Sequence, residues 1–187
     1  MGINLARLPK SPPPGPGPVP IIHVKDVVEG MLLDADRLDR ISLPDTPQNA
    51  RQRLLPGDVL VSARGTLMKC AVVPPSHWGA VASANFIVIR LGQSAALPPE
   101  LLWTFLRQPT TQAYVLSRNT STAQAALNIR DLEDLSIPIP PQNIQSDLVQ
   151  LIVVAEEQYR TAMECARLRQ EEAMAIVARH MASDYAS

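Results

Sequence analysis

The chain has 187 residues, 46% of them hydrophobic and 19% charged, with a formal net charge of −1. That length suits one domain, or one domain with an appendage, and that composition excludes wholesale disorder. No apolar run of about eighteen residues is present, which excludes a membrane-spanning helix, and without a charged-then-apolar signal segment the expected location is the cytoplasm.

In chain order, residues 1–18 read as a proline-rich lead-in. Seven prolines fall in "PKSPPPGPGPVP", a stretch that favours extended polyproline geometry and cannot sit inside a helix or sheet. The run Ile21 to Val28 mixes β-branched and polar residues and predicts a strand or strand-turn, with Gly30 as punctuation. His23 reads as a packing or hydrogen-bonded histidine, because no nucleophile or metal partner is signalled near it. "SLPDTPQNARQR" (42–53) is polar with two prolines and predicts a loop. Pro56-Gly57-Asp58 is a turn, followed by strands at 58–63 and 70–74, and "GAVASANFIVIRL" (79–91) predicts another strand.

From Pro98 the hydrophobic period changes. "PPELLWTFLRQP" predicts a short helix with proline in its first turn, and "TTQAYVLSRN" a second helix. "NTSTAQAALN" (119–128) is a polar loop. "IRDLEDLSIPIPP" begins as a helical turn and is expected to end as a short strand stopped by Pro140-Pro141. From about Gln142 to Ala182 there is neither proline nor glycine. Apolar or small residues recur at Ile144, Leu148, Leu151, Ala155, Tyr159, Ala162, Ala166, Ala173 and Val177, in steps that describe one helix face. A forty-residue helix is about 60 Å long, too long to lie wholly against a domain built from the preceding residues. The face therefore predicts coiled-coil packing against a partner or a second copy; the alternative, a fold-back hairpin, has no turn signal. The expected fold is α+β: a mixed α/β domain over 19–140, then one long coiled-coil-type helix over 141–183.

Charge is segregated along the chain. Val19 to Asp45 carries three basic and six acidic residues, and Thr46 to Arg130 eight basic and two acidic, giving −3 and +6. Such blocks can create a one-sided surface field. Cys70 and Cys165 lie far apart and form no CxxC, so they read as reduced thiols in packing positions rather than as a disulfide or zinc site.

The catalytic templates are missing. There is no GxSxG elbow, no GxxxxGK[ST] phosphate loop and no HExxH or other cluster with ligand spacing. The carboxylate pairs Asp34/Asp36, Glu133/Asp134 and Glu156/Glu157 sit in charged stretches and need no acid–base role. No metal or cofactor is expected in this chain. The cationic hairpin tip points to binding instead. Gly65 allows a tight turn or close backbone approach, Arg64 offers a planar fork suited to phosphate or a guanine edge, and Thr66 and Lys69 flank them. The loop with Asn119, Ser121, Thr122 and Asn128 supplies short hydrogen-bonding side chains, bounded by Arg118 and Arg130. Arg51 and Arg53 join the candidate nucleic-acid contacts on charge alone.

The order "LLPGDVLVSARGTLMKCAVV", "SANFIVIRL", "LPPELLWTFLRQP", "NIRDLEDLSIPIPPQNIQSDLVQLI" resembles one half of the DNA-specificity subunit of type I restriction–modification systems. The closing segment carries the most specific match, with Ile129, Leu132, Leu135, Ile137, Pro138, Pro140, Pro141 and Gln145 in the family's order. The resemblance covers most of residues 19–160. It implies a non-catalytic reader whose target-recognition domain grips one half of a split double-stranded DNA target. It implies long helices that set the distance between half-sites and dock an adenine methyltransferase subunit. S-adenosylmethionine would belong to that subunit, and a restriction nuclease subunit can join the complex. It puts Arg64, Gly65, Thr66 and Lys69 in one loop near DNA, and Asn119 to Asn128 in a second loop near DNA or the methyltransferase. The usual subunit has two recognition domains and two helical regions, whereas this chain has one of each. A homodimer through antiparallel C-terminal helices restores the pair and predicts a palindromic split target. The alternative is an adaptor that keeps the fold, binds no DNA and docks a partner through the long helix.

Overall fold

The computed structural model describes residues 2–3, 18–64, 68–117 and 127–183, with side chains to Met181. The chain divides into two compact units, residues 1–145 and 146–187.

Strand β1 (Val19–Ile22) organises the first unit. It pairs antiparallel with β4 (Arg40–Ile41) and parallel with β7 (Val81–Ala82). Its side chains alternate as a pleated strand requires. Val19 and Ile21 enter a small core with Ile3, Leu43 and Val81, while Ile22 enters the main core with Val27, Leu54, Leu60, Val73 and Phe86. Ile3, expected in the lead-in, is thus a core residue, 6% exposed and bridged in parallel to Ser83. The proline run at 4–17 lies outside the described residues.

Strand β5 (Val59–Ser62) is buried at every position, as expected of a continuous apolar run at the centre of a sheet. It pairs antiparallel with β6 (Cys70–Val72) on one side and β8 (Phe86–Ile89) on the other. The predicted strand at 79–91 is therefore two strands in two different sheets. A third, two-stranded ribbon joins β2 (Val27–Val28) to β3 (Met31–Leu32) through Glu29 and Gly30, both at positive φ.

Two local expectations are corrected. The stretch 42–53 contains helix α1 (Pro47–Arg51), whose Thr46 hydroxyl accepts the Asn49 N–H and whose Pro47 opens the first turn. The segment 135–141 forms no strand: Pro138 and Pro140 lack the N–H groups that a ladder needs.

Helices α2 (Pro99–Arg107) and α3 (Pro109–Ser117) follow as predicted. Trp103 of α2 is buried and its indole N–H donates to the Cys70 carbonyl at 3.1 Å, which fixes α2 against the β5–β6 hairpin. The Arg107 guanidinium lies 4.3 Å from the Trp103 ring centroid, a cation–π contact. Cys70 is buried, and burial pushes its thiol up to about 12. Cys165, by contrast, is exposed, so only one of the two thiols packs in this unit.

Helix α4 (Ile129–Glu133) is a single turn capped by Asn128, whose side chain accepts the Asp131 N–H. Helix α5 (Gln142–Ser183) runs unbroken for 42 residues, which removes the fold-back alternative. From Val153 to Met181 every residue is exposed except the half-buried Glu156. No helix of the described residues is long and apolar enough to cross a membrane.

Candidate nucleic-acid interface

The β5–β6 hairpin has two ends, with Asp58 at one and Ala63 at the other. Five residue steps of extended chain hold them about 17 Å apart.

The Ala63 end carries the cationic tip. Its backbone is braced from four directions. The Ser62 hydroxyl accepts the Lys69 N–H at 2.9 Å, and Ser62 N–H donates to the Lys69 carbonyl at 2.8 Å. Ala63 N–H donates to the Asn85 carbonyl at 2.7 Å, and the Ala63 carbonyl accepts Leu127 N–H at 2.8 Å. Gln112 of α3 donates to the Met68 carbonyl at 3.2 Å. Arg64 emerges from this scaffold with its side chain exposed. The Leu127–Ala63 bond matters most, because it brings the end of the 119–128 loop to the hairpin tip. Two segments more than fifty residues apart thus share one end of the domain.

The candidate cations divide by what they hold. Lys69 is exposed, but its ammonium donates to the Val27 carbonyl at 2.8 Å and the Val24 carbonyl at 3.3 Å, so it ties the tip to the segment after β1. Arg53 is half-buried and donates to the Gly79 carbonyl at 2.8 Å. Arg51, in the last turn of α1, and Arg130, on α4, are exposed. Asn128 is exposed but serves as the α4 cap. Gly65, Thr66, Arg118, Asn119, Ser121 and Thr122 lie outside the described residues.

Four of the eight cations of the +6 block are therefore held in place by the domain, although those bonded to carbonyls keep their charge. Lys69, Arg53, Arg90 and Arg107 each hold a partner inside the domain. Arg90 grips Asp58 with both arms of its fork, at 2.7 and 2.6 Å, and Asp58 is only 2% exposed. Those bonds raise the Arg90 pKa further above its usual value. The same Asp58 carboxylate accepts Leu55 N–H at 2.8 Å, closing the Pro56-Gly57 turn.

The Asp58 end carries a feature that sequence reasoning missed. Trp78 is 74% exposed, and Leu55, which follows the Leu54 paired with Gly79 and Ala80, is 40% exposed. Its loop is rigidly held. The buried His77 ring contacts the Leu33 carbonyl at 2.8 Å, Leu54 N–H donates to Ala80, and Gly79 N–H donates to Leu54. Periodicity could not flag this indole, because the loop 74–80 has none; the Pro74-Pro75 pair before it and Gly79 after it were the available signals of a surface turn.

Among the described residues, no group of three or more His, Cys, Asp or Glu is placed to hold a metal ion.

Comparison with known proteins gives a consistent picture. The family model described as the type I restriction modification DNA specificity domain matches residues 7–153. The type I restriction enzyme EcoBI specificity subunit of Escherichia coli is 24% identical over 135 residues, covering 72% of this chain and 28% of that protein. The crystal structure of the HsdS subunit from Thermoanaerobacter tengcongensis superposes with a TM-score of 0.62 at 25% identity, covering 83% of this chain and 39% of that one. A chain from structural work on complex assembly and conformational transition of the type I R-M system has a TM-score of 0.60 at 23% identity, with the same two coverages of 83% and 39%. The chain spans well under half the length of these relatives.

Proposed function

The chain belongs to the type I restriction–modification DNA specificity family, whose specificity subunits are non-catalytic recognition subunits, and from that premise we propose how it reads DNA. It binds double-stranded DNA at the Ala63 end of its hairpin and directs an adenine-N6 methyltransferase subunit to a split target. The reading extends to assembly as a homodimer through α5, to association with a restriction nuclease subunit, and to a cytoplasmic location. S-adenosylmethionine belongs to the methyltransferase subunit.

The observation that supports the DNA site is the Leu127–Ala63 bond, which holds Leu127 against a braced backbone next to the exposed Arg64. A preorganised backbone lowers the ordering cost of binding, so an arginine fork there is well placed for phosphate or base-edge contact. Arg53 and Lys69 are omitted as base readers because their donors already meet carbonyls. Arg51 and Arg130 are retained as candidate phosphate contacts.

Arg64→Ala is expected to weaken duplex binding by about 1–3 kcal/mol if the fork meets a base edge. If it meets phosphate, the loss is similar across sequences and the salt slope falls by about one. Fluorescence anisotropy on several duplexes at three salt concentrations separates these, and unchanged affinity throughout removes Arg64 from the site. The biological test is a map of N6-methyladenine in the native host with the gene intact and deleted. Loss of methylation at one split, palindromic motif is the expected result.

The adaptor reading has its own supporting observation, the exposed Trp78 on a braced loop. Tryptophan is enriched at protein interfaces and the rigidity of its mount suits an anchor. The chain has only two tryptophans, and Trp103 is 6% exposed, so Trp78 dominates the solvent-exposed indole emission. Under the adaptor reading, the methyltransferase subunit alone shifts that emission to the blue and shields it from iodide, and no duplex binds. Under the DNA-reader reading, duplex binds with steep salt dependence.

A further inference from the structure

Helix α5 starts inside the first unit, whose last residue is Gln145. The helix start is open to water: Pro141 to Ile144, Ser146 and Asp147 are all exposed. Gln145 alone is buried among them, at 9%. Its side-chain amide nitrogen donates to the Ala96 carbonyl and to the Pro140 carbonyl, each at 2.9 Å. An amide nitrogen carries two protons, so both are used. Ala96 lies in the connection between β8 and α2, in a turn closed by Ala95 N–H donating to the Gly92 carbonyl at 2.9 Å. Pro140 belongs to the proline-rich lead into the helix. One amide thus joins the first turn of α5 to the segment before it and to a turn 49 residues away.

We infer that Gln145 is the positioning residue for α5: its amide fixes the direction in which the helix leaves the recognition unit, and with it the half-site spacing that the protein accepts. The inference rests on the proposed reading of a split target and adds the residue that holds the spacing. Hydrogen bonds are directional, whereas apolar contact is not. The helix start offers little apolar anchorage in any case, since Ile144 is 40% exposed and Leu148 only half-buried.

Leverage makes the joint matter. About 57 Å of helix separate Gln145 from Ser183. A tilt of about 10° at the first turn moves that far end by about 10 Å, the rise of about three base pairs. Discrimination of a single base pair of spacing therefore requires a joint held within about 3°. The two bonds divide this task. The Ala96 bond ties the helix to the body of the unit, and the Pro140 bond holds the glutamine side chain in the rotamer that reaches Ala96. The lead itself is stiff, because Pro138, Pro140 and Pro141 have fixed φ, but it has few N–H groups with which to brace the helix. Gln145→Met keeps the length and apolar volume of the side chain and removes both donors. Gln145→Glu keeps the shape and, as a carboxylate, turns an acceptor toward two carbonyls.

The test uses the full chain, spin-labelled at the exposed Cys165 and at Asp36→Cys, an exposed position of the first unit, Cys70 being buried. An excess of unlabelled Cys165→Ser chain keeps each measured pair of labels within one protomer. Double electron–electron resonance is expected to give one narrow distance distribution for this parent and a broad one for Gln145→Met, with circular dichroism confirming that the variant is folded. Gln145→Glu is expected to broaden the distribution likewise, and supplies the reading should Gln145→Met not fold. A second readout uses duplexes that carry both half-sites of the methylated motif at its native spacing and at one base pair more or less. Gln145→Met is expected to cut the preference for the native spacing about tenfold, as the loss of two hydrogen bonds at the joint implies, and to leave affinity for a duplex with one half-site unchanged. Unchanged distance distributions and an unchanged spacing preference overturn the inference. An equal loss of affinity for the single half-site means that Gln145 merely supports the recognition unit, and overturns it too. A parent that binds no duplex overturns the DNA reading, while the distance distributions still decide whether Gln145 holds the helix.

Discussion

Arg90→Ala is expected to destabilise the recognition unit by about 3–5 kcal/mol, more than substitution of its buried partner. The asymmetry follows from exposure. Asp58 is 2% exposed whereas the Arg90 side chain is 44% exposed. Removing the arginine leaves a carboxylate buried with the Leu55 N–H as its remaining donor partner among the bonds described above. It also strips the Arg53 carbonyl of its 2.9 Å bond from Arg90. Asp58→Asn, by contrast, leaves a guanidinium that water can reach and keeps an acceptor for the turn, so its cost should fall to about 1–3 kcal/mol. Urea unfolding followed by circular dichroism orders the two variants, and Arg90→Lys should fall short of wild type because an ammonium cannot reproduce the two-armed grip. A cost below about 1 kcal/mol for Arg90→Ala would mean that the Asp58 carboxylate is hydrated in solution and that the pair does not hold the turn.

The second large effect is expected on assembly. If the chain assembles through α5 as proposed, Leu148→Asp combined with Leu151→Asp should convert the dimer to monomers. A two-fold interface receives each change twice, so four leucines leave the seam. At about 1.5–3 kcal/mol for each buried leucine, at least about 6 kcal/mol is lost, and four new carboxylates resist burial as well. That is more than four decades in dissociation constant. Sedimentation equilibrium reads the change, with circular dichroism confirming that helix content is retained. A dimer that survives the double variant places the interface away from α5. Because both substitutions lie far in sequence from Arg64, duplex binding by one recognition domain should persist while avidity from two is lost.

Much of the architecture was open to reading along the chain, for a physical reason. Helices α2 and α5 are strongly patterned or long, and β5 is a continuous apolar run after a turn signal, so local sequence outweighs context there. The same is true of the Asn128 cap and the Pro56-Gly57-Asp58 turn, which are decided within four residues. Helix α1 was missed although Thr46 and Pro47 are a cap and a first-turn proline, because five residues carry no measurable period. The expected strand at 135–141 failed because its alternating apolar residues outweighed, on paper, the two donors that proline removes.

The site was less legible than the fold. Charge alone proposed Arg51 and Arg53, and the glycine-arginine hairpin tip and the resemblance proposed Arg64 and Lys69. Which cation reaches a carbonyl depends on what the tertiary structure brings within about 3 Å, and Arg53 finds Gly79 while Lys69 finds Val24 and Val27. The exposure of Trp78 is likewise a property of packing, since an indole in an aperiodic loop is buried or presented according to its neighbours. The family, the order of elements, the continuous helix and the apolar face along it could be read from the chain alone, because each is written in local spacing. Tertiary structure alone decided that the 119–128 loop ends at the hairpin tip, that half of the basic block is committed to the domain's own backbone and buried carboxylate, and that the opposite end presents a tryptophan, because each depends on contacts between residues distant in the chain.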